Sequence, residues 1–255
     1  RADHDGRMRA LNLLGAIAFE HGQLDAAERA FSGALDLARE LADTLMSAHA
    51  SNNLASVAHL RTEPEMALTL YRSALTSFLR VGDRHGTART YHNLALAFRT
   101  LAEWDDAEGA ALEAVRHAEQ IGDASLLALT MMGRAEIRID RGEIALARQE
   151  LERVGRLLGQ AGDPIGDAEL CRLRARCALE EGDYARALAD ADEGRRIAMA
   201  FDSAQLQAEC SALSARALRA LDRPLSAERR AEAVAIFQRL GATRFLEELD
   251  RIFPA

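Results

Sequence analysis

Apolar residues recur along the chain every three or four positions, the spacing that places them on one face of an α-helix. The first forty residues carry two such runs, separated by Gly22, and their apolar positions are Leu11, Leu14 and Ala18, then Ala27, Phe31, Ala34, Leu35 and Ala38. This spacing predicts a first helix near residues 7–21 and a second near residues 24–41. Because each helix has one apolar face, we expect the two to pack together as a hairpin.

The same pattern returns after a fixed interval of 40 residues. Asn52-Asn53-Leu54-Ala55 is echoed by His92-Asn93-Leu94-Ala95. One alanine of each second helix follows the same interval, at Ala27, Ala67, Ala107, Ala147, Ala187 and Ala227. A fixed period of this kind is typical of stacked repeats. It predicts six helix pairs, no sheet, and a closing helix near residues 243–252 that ends before Pro254.

Residues that end and reverse a helix lie between these segments. The first helix of each repeat closes at Gly22, Thr62, Ala102, Gly142, Gly182 and Asp222, and the second opens at Leu24, Pro64, Trp104, Ile144, Tyr184 and Pro224. The repeats are separated by the pairs Ala42-Asp43, Gly82-Asp83, Gly122-Asp123 and Gly162-Asp163. Each pair puts a residue suited to left-handed backbone beside a carboxylate that can cap the next helix.

Gly15 and Ala18, followed by Gly22, Leu24, Ala27, Phe31 and Ala34, resemble the tetratricopeptide repeat. The 40-residue interval exceeds the usual 34 residues of that family. The longer form resembles the repeats of the kinesin light chain, of the adaptor built on Leu-Gly-Asn repeats, and of the sensor segments of bacterial regulators such as the maltose activator. The resemblance implies an all-α fold, a right-handed α-solenoid of six antiparallel helix pairs with a C-terminal capping helix.

We expect one domain over residues 1–255, with repeats at 5–43, 44–83, 84–123, 124–163, 164–202 and 203–241 and a cap at 242–255. The chain lacks an initiator methionine, so we expect it to be part of a larger protein. The last three repeats are less typical of the family. Their second helices lack the aromatic residue found at Phe31 and Tyr71, and arginine replaces the first-helix leucine at Arg134 and Arg174.

Composition and charge narrow the class of function. The formal net charge of −8 argues against a nucleic-acid-binding surface, which needs a concentration of basic residues. No apolar run approaches the roughly 20 residues that span a bilayer, and the N-terminus does not resemble a signal peptide, so we expect a cytoplasmic location without a membrane contact. The three cysteines lack metal-ligand spacing and are expected to be packing residues.

The sequence gives no sign of an enzyme. All 32 basic residues are arginine, which excludes a Schiff-base lysine or a phosphate-loop lysine within this chain. Glycine-rich phosphate loops, nucleophile elbows and zinc-protease motifs are not found. His49, His59 and His92 do not follow a metal-binding pattern. We therefore predict no catalytic residue, no cofactor and no metal.

In the family that the chain resembles, the first helices line a concave groove. Carrying that arrangement over implies that polar residues on the matching stripe contact a ligand. The candidate groove residues are Asn12, His49, Asn52, Asn53, Ser56, Arg89, His92, Asn93, Arg99, Met132, Arg172, Arg176 and Arg216.

Two interpretations of these polar residues remain open. A carboxamide donates and accepts at once, so the asparagines can hold a peptide backbone, or they simply cap neighbouring helices or face water. The arginines outnumber Glu136, Glu169 and Glu209 on the stripe, so they can attract a carboxylate or an acidic segment. Alternatively, they pair with glutamates one repeat away.

The function we predict is that of a protein-interaction or sensor module. Its groove binds a peptide or a partner segment, with an acidic segment or a free carboxylate as candidate ligand, in the regulatory part of a bacterial signalling or transcription-regulatory protein. A homodimer is left open. One alternative is a metabolite sensor that controls self-association, with a pocket near Leu96, Trp104 and Met132. A more remote alternative, from resemblance to aspartate-phosphate phosphatases, is a response-regulator phosphatase.

Overall fold

The computed structural model describes residues 2–253, apart from the side chains of Ala2, Asp3 and Arg244. This part of the chain contains thirteen α-helices and no strand. The helices are α1 (Ala2–Glu20), α2 (Leu24–Glu40), α3 (Thr44–Leu60), α4 (Pro64–Val81), α5 (Arg84–Thr100), α6 (Trp104–Ile121), α7 (Ala124–Asp140), α8 (Ile144–Ala161), α9 (Pro164–Glu180), α10 (Tyr184–Ala200), α11 (Ala204–Ala220), α12 (Ser226–Leu240) and α13 (Thr243–Ile252). The predicted all-α fold of antiparallel helix pairs with a C-terminal capping helix is confirmed. Residues 254–255 of the predicted cap lie outside the described range.

Each turn between helices contains one residue with left-handed backbone. Seven are glycines, with φ between 65° and 78°, and five are Ala42, Thr62, Ala102, Asp202 and Asp222, with φ between 53° and 59°. All six residues predicted to close a first helix are among these twelve. The predicted caps form as well, since Asp43, Asp83, Asp123 and Asp163 each accept a hydrogen bond from the amide three residues later.

Thr62 is the turn residue least suited to this backbone, because its branched Cβ crowds the carbonyl in the left-handed region. We expect Thr62→Gly to raise the free energy of unfolding by about 1 kcal/mol, since glycine adopts positive φ without this strain. Thr69, exposed inside α4, is the matched control, and Thr69→Gly should instead destabilise the chain. Urea unfolding of both variants measures the difference. A loss of stability in Thr62→Gly would show that the strain is not relieved there.

The chain forms two compact units, residues 1–133 and residues 134–255, which we call the N-terminal unit and the C-terminal unit. In the N-terminal unit, second helices pack on first helices through small clusters such as Ala27, Phe31 and Val57. Gly15 shows how close this packing is. A Cβ at Gly15 would lie 2.6 Å from the Phe31 ring, which explains glycine where later repeats carry alanine.

In the C-terminal unit, α9, α10 and α11 pack through small residues, including Ala175, Ala187 and Ala217, which are fully buried. The closing helix α13 packs on α12 through its aromatic and leucine side chains. Phe245 stacks on Phe237 with ring centroids 4.9 Å apart, and Leu249 and Phe253 are buried in the same cluster. The cap therefore covers apolar residues that the last helix pair would otherwise expose.

The structure corrects the prediction at both ends of the repeat array. Helix α1 begins at Ala2, earlier than the predicted residue 7. Helix α12 begins at Ser226, so Pro224 lies in a turn and does not open the helix as predicted. Because this second helix starts late, Ala227 is exposed, whereas the five equivalent alanines are fully buried. No helix in the described range is long and apolar enough to cross a membrane.

Candidate functional site

All four asparagines of the chain lie on first helices of the N-terminal unit and hydrogen-bond in pairs. Asn53 Nδ2 donates to Asn12 Oδ1 at 3.0 Å, joining α3 to α1. Asn93 Nδ2 donates to Asn52 Oδ1 at 3.3 Å, joining α5 to α3. Both pairs are 41 residues apart, so each joins the same face of two consecutive first helices. We call these four residues the asparagine ladder.

Two hydroxyl groups extend the ladder. Thr90 Oγ1 lies 3.1 Å from Asn52 Oδ1 and 2.7 Å from the Gly86 carbonyl oxygen. Ser56 Oγ lies 3.0 Å from the hydroxyl of Tyr71 on the second helix α4, and burial raises the pKa of Tyr71 to about 12. The sequence analysis predicted Ser56 as a groove residue but did not predict Thr90. Thr90 could have been predicted, because it precedes Asn93 by one helical turn and so lies on the same face of α5.

The asparagines are half-buried, so part of the surface of each residue remains exposed to solvent. A carboxamide can make up to four hydrogen bonds, and the ladder bonds use only part of that capacity. The alternative interpretation was that the asparagines cap neighbouring helices or simply face water. The observed contacts support neither role, because the side chains hydrogen-bond to one another. Their mutual bonds hold donors and acceptors in fixed positions along three adjacent helices.

The histidines near the ladder have packing roles. His49 lies edge-on to Phe78, with ring centroids 4.9 Å apart, and its Nε2 is 3.7 Å from Asp83 Oδ2. Burial lowers the pKa of His49 even though Asp83 opposes the shift, so the ring is neutral at pH 7. His92 lies against Gly133, where a Cβ would come within 2.6 Å of the imidazole. The His49 ring thus packs on the second helix α4, and the His92 ring fills space between the consecutive first helices α5 and α7.

Met132 corrects the predicted set of surface residues. Its side chain is 5% exposed, so it belongs to the core of the N-terminal unit and presents no surface to a ligand. Met132 therefore does not line the surface pocket that was predicted near Leu96, Trp104 and Met132.

The two candidate arginines on α5 differ in exposure. Arg89 is exposed and Arg99 is half-buried.

In the C-terminal unit, the candidate arginines form ion pairs with carboxylates. Arg172 is 7% exposed, and its guanidinium contacts Glu169, Glu136 at 3.0 Å and Glu209 at 3.2 Å. Burial alone would lower the pKa of Arg172, but these carboxylates raise it well above its usual range. Arg172 is thus an internal ion-pair residue and does not present its charge to a ligand.

Arg176 and Arg216 are also paired. Arg176 lies 2.8 Å from Glu136 and 2.5 Å from Asp140, and Arg216 lies 3.7 Å from Glu180. Across the described residues that form these pairs, five carboxylates face three guanidinium groups. The geometry therefore favours the alternative in which the arginines bind acids of neighbouring repeats, and it does not support a positive surface in this unit.

Metal and thiol chemistry find little support among the described residues. They contain no group of three or more histidine, cysteine or acidic side chains placed to hold a metal ion. Cys171, Cys177 and Cys210 are free thiols, and burial raises the pKa of Cys171 and Cys177 to about 11. A thiol with a raised pKa is a weak nucleophile at neutral pH.

The tetratricopeptide repeat family matches residues 46–120. This segment runs from α3 to α6 and contains Asn52, Asn53 and Asn93, together with Ser56 and His92. No curated protein matches the sequence.

Solved structures share the fold over most of the chain. A Rap protein complexed with competence and sporulation factor has a TM-score of 0.74 and 17% identity, over 97% of this chain and 66% of that protein. The Rap conjugation gene regulator of plasmid pLS20, in complex with the Phr* peptide, has a TM-score of 0.80 and 11% identity, over 95% and 67%. A signal transduction ATPase from Pyrococcus horikoshii with a tetratricopeptide repeat sensor has a TM-score of 0.68 and 16% identity, over 97% and 37%.

At these identities the likeness concerns the fold alone, and the chain spans 66% of the first of these proteins and 37% of the ATPase. The fold is nevertheless shared across all repeats, beyond the segment that the family matches directly. Residues 46–120 therefore match the tetratricopeptide repeat family, and the whole chain shares the helical-repeat fold of these solved structures.

Proposed function

We propose that the chain binds an extended peptide segment of a partner along the asparagine ladder of its N-terminal unit. The observation that carries this proposal is the set of four half-buried carboxamides, held by hydrogen bonds on three consecutive first helices. An extended peptide presents alternating amide and carbonyl groups, which carboxamides can both accept from and donate to. Recognition through the main chain places few demands on the peptide side chains.

Preorganisation supports this mode of binding. Because the carboxamides already restrain one another, a ligand does not have to pay the full entropic cost of ordering them. Two of the structures that share the fold are Rap proteins in complexes, one of them with a peptide named Phr*. We further propose that an acidic segment or a free carboxylate on the ligand would be met by Arg89, which is exposed on α5.

Replacing Asn53 and Asn93 together by alanine should weaken a peptide selected from a display library by about tenfold or more, because each substitution removes a charge-free hydrogen-bonding group worth about 1 kcal/mol. Calorimetry measures the affinity. Since the same side chains bond Asn12 and Asn52, a small loss of stability is also expected. Gln160→Ala is the matched control, as it removes an exposed carboxamide from α8. Equal affinity of the double variant and the control would contradict the proposal.

We also propose that this chain makes and breaks no bond itself, and that it serves as the regulatory part of a larger bacterial signalling or transcription-regulatory protein. The proposal that the chain makes and breaks no bond is tested by incubating it with a phosphorylated receiver domain and measuring the release of phosphate. Phosphate release that depends on the chain would show that the chain is a phosphatase. A thermal-shift comparison of metabolites with short peptides separates peptide binding from metabolite sensing.

A further inference from the structure

A small cleft lies between α8, α9 and α10 of the C-terminal unit. It encloses about 220 Å³ and is partly open to solvent. Its lining combines three arginines, one from each helix, with three buried apolar residues, and consists mainly of Arg148, Arg174, Arg186, Leu151, Cys177 and Ala178. Burial raises the pKa of the Cys177 thiol to about 11, so this residue is neutral at pH 7. We call this site the arginine cleft.

Arg174 occupies a position where the first three repeats have leucine. Its guanidinium lies against Gly155 of α8, where a Cβ would come within 2.8 Å of Nη2. Three repeats earlier, the equivalent residues are Leu35 and Leu54, which pack in one apolar cluster. Glycine therefore makes room for the guanidinium. Within the part of the chain that the structure describes, Arg174 makes no hydrogen bond and no ion pair.

The arginine cleft has one more positive charge than negative charges. Arg148 Nη1 lies 3.4 Å from Glu181 Oε1, and Arg186 Nε lies 3.8 Å from Asp190 Oδ2. These two carboxylates balance two of the three guanidinium groups, and the third, that of Arg174, is left without a counter-ion. A singly charged anion would neutralise the cleft.

The equivalent place three repeats earlier has the opposite balance of charge. There Glu28 takes the position of Arg148, and Arg61 takes the position of Glu181. Arg61 Nη1 lies 2.7 Å from Glu28 Oε2, and its other amino group pairs with Asp25, so two acids meet one arginine. The positive surplus is therefore a property of this repeat pair and not a consequence of how the repeats stack.

We propose that the arginine cleft binds a small monocarboxylate, which pairs with Arg174 and places its apolar carbon atoms against the buried apolar lining. An arginine and a carboxylate form a charge-assisted hydrogen bond, which is among the stronger polar contacts in proteins. Pockets for drug-sized ligands enclose roughly 300–1,000 Å³, so this smaller cleft suits a ligand of only a few non-hydrogen atoms. The carboxylate can belong to a free metabolite or to a glutamate side chain of a partner.

Propionate is the probe, because it reproduces the end of a glutamate side chain. Saturation-transfer NMR in chloride-free buffer should show saturable binding with a Kd below roughly 10 mM. Propionamide has the same shape without the charge and should not bind. Glutamate blocked at both termini distinguishes the two sources of the carboxylate. Tighter binding of blocked glutamate assigns the cleft to a protein side chain, and tighter binding of propionate assigns it to a free metabolite.

Two variants remove the cation. Arg174→Leu combined with Gly155→Leu reproduces the pair found at Leu35 and Leu54, so it should fold and should weaken propionate binding by about tenfold or more. Arg174→Gln alone removes the charge with less change in packing, and circular dichroism checks the fold of both variants. Arg156→Gln is the matched control, since it removes an exposed arginine beside Gly155 and should leave the affinity unchanged.

Three outcomes would overturn the inference. The first is no saturable propionate signal up to about 100 mM. The second is equal affinity of the wild type and both Arg174 variants, which would place the ligand elsewhere. The third is complete displacement of propionate by an equal concentration of chloride, which would mean an adventitious ion only. The Asn53→Ala and Asn93→Ala variant should bind propionate as the wild type does, so this test is independent of the proposed peptide site.

Discussion

Replacing Arg172 with methionine is expected to lower the free energy of unfolding by about 3–5 kcal/mol, because it leaves buried carboxylates without their cation. Arg172 contacts Glu136, Glu169 and Glu209, and its own side chain is only 9% exposed. Methionine fills similar space, so the effect reports the lost charge more than a cavity. Urea unfolding at pH 7 measures it. Arg216→Met is the control, since its pair with Glu180 is more exposed and should matter by under about 1 kcal/mol.

The defect of Arg172→Met should shrink as the pH falls. Burial raises the pKa of Glu209 in the folded chain, and Arg172 opposes this shift. Removing the arginine raises the pKa further, so the folded state takes up a proton more readily than the unfolded state and gains stability as the pH falls through that raised value. A defect that stays constant down to pH 5 would show that the carboxylates around Arg172 are not its cause.

Replacing Glu150 with leucine is expected to destabilise the chain by about 3 kcal/mol, because two arginines lose a buried partner. The carboxylate of Glu150 is 2% exposed, and it accepts hydrogen bonds from Arg134 at 2.8 Å and from Arg138 at 2.7 Å. Thermal or urea unfolding of the single variant gives the magnitude.

A second substitution separates the charge effect from packing. The positions equivalent to Arg134 in the first three repeats are Leu14, Leu54 and Leu94, so Arg134→Leu restores the common residue of the family pattern. Combined with Glu150→Leu, it should recover part of the lost stability, since replacing a buried ion pair by apolar residues is often neutral, while Arg138 still lacks the Glu150 carboxylate. A double variant that is less stable than Glu150→Leu alone would contradict this account.

Helix positions and turns could be predicted from the sequence because they depend on local chemistry. The apolar spacing and the turn residues fix each helix to within a few residues, and the positive φ values fall where the sequence placed them. The prediction failed at Pro224 and Ala227, where the last second helix starts late. Proline is accepted both at a first helical position and in a turn, so its presence did not decide between them.

The polar contacts were harder to predict because they depend on side chains from different repeats. Arg134 and Arg174 replace a leucine of the repeat pattern, which the sequence analysis interpreted as a less typical repeat. An acidic residue follows each arginine sixteen positions later, at Glu150 and Asp190. Glu150 binds Arg134. Burial raises the pKa of Asp190, and the positive charges of Arg186 and Arg174 oppose that shift. The joint replacement of residues 134 and 150 was therefore visible in the sequence. The mutual bonds of the asparagines were equally encoded in their 41-residue spacing.

Selective ¹⁵N labelling of asparagine tests directly whether a peptide binds along the asparagine ladder, as we propose. The chain has four asparagines, all in the ladder, so labelling asparagine with ¹⁵N gives side-chain NH₂ signals from these residues alone. Titration with a display-selected peptide is predicted to shift the carboxamide signals of the ladder in step with the calorimetric binding curve. Saturation of the chain by the peptide while all the carboxamide signals stay in place would contradict the claim.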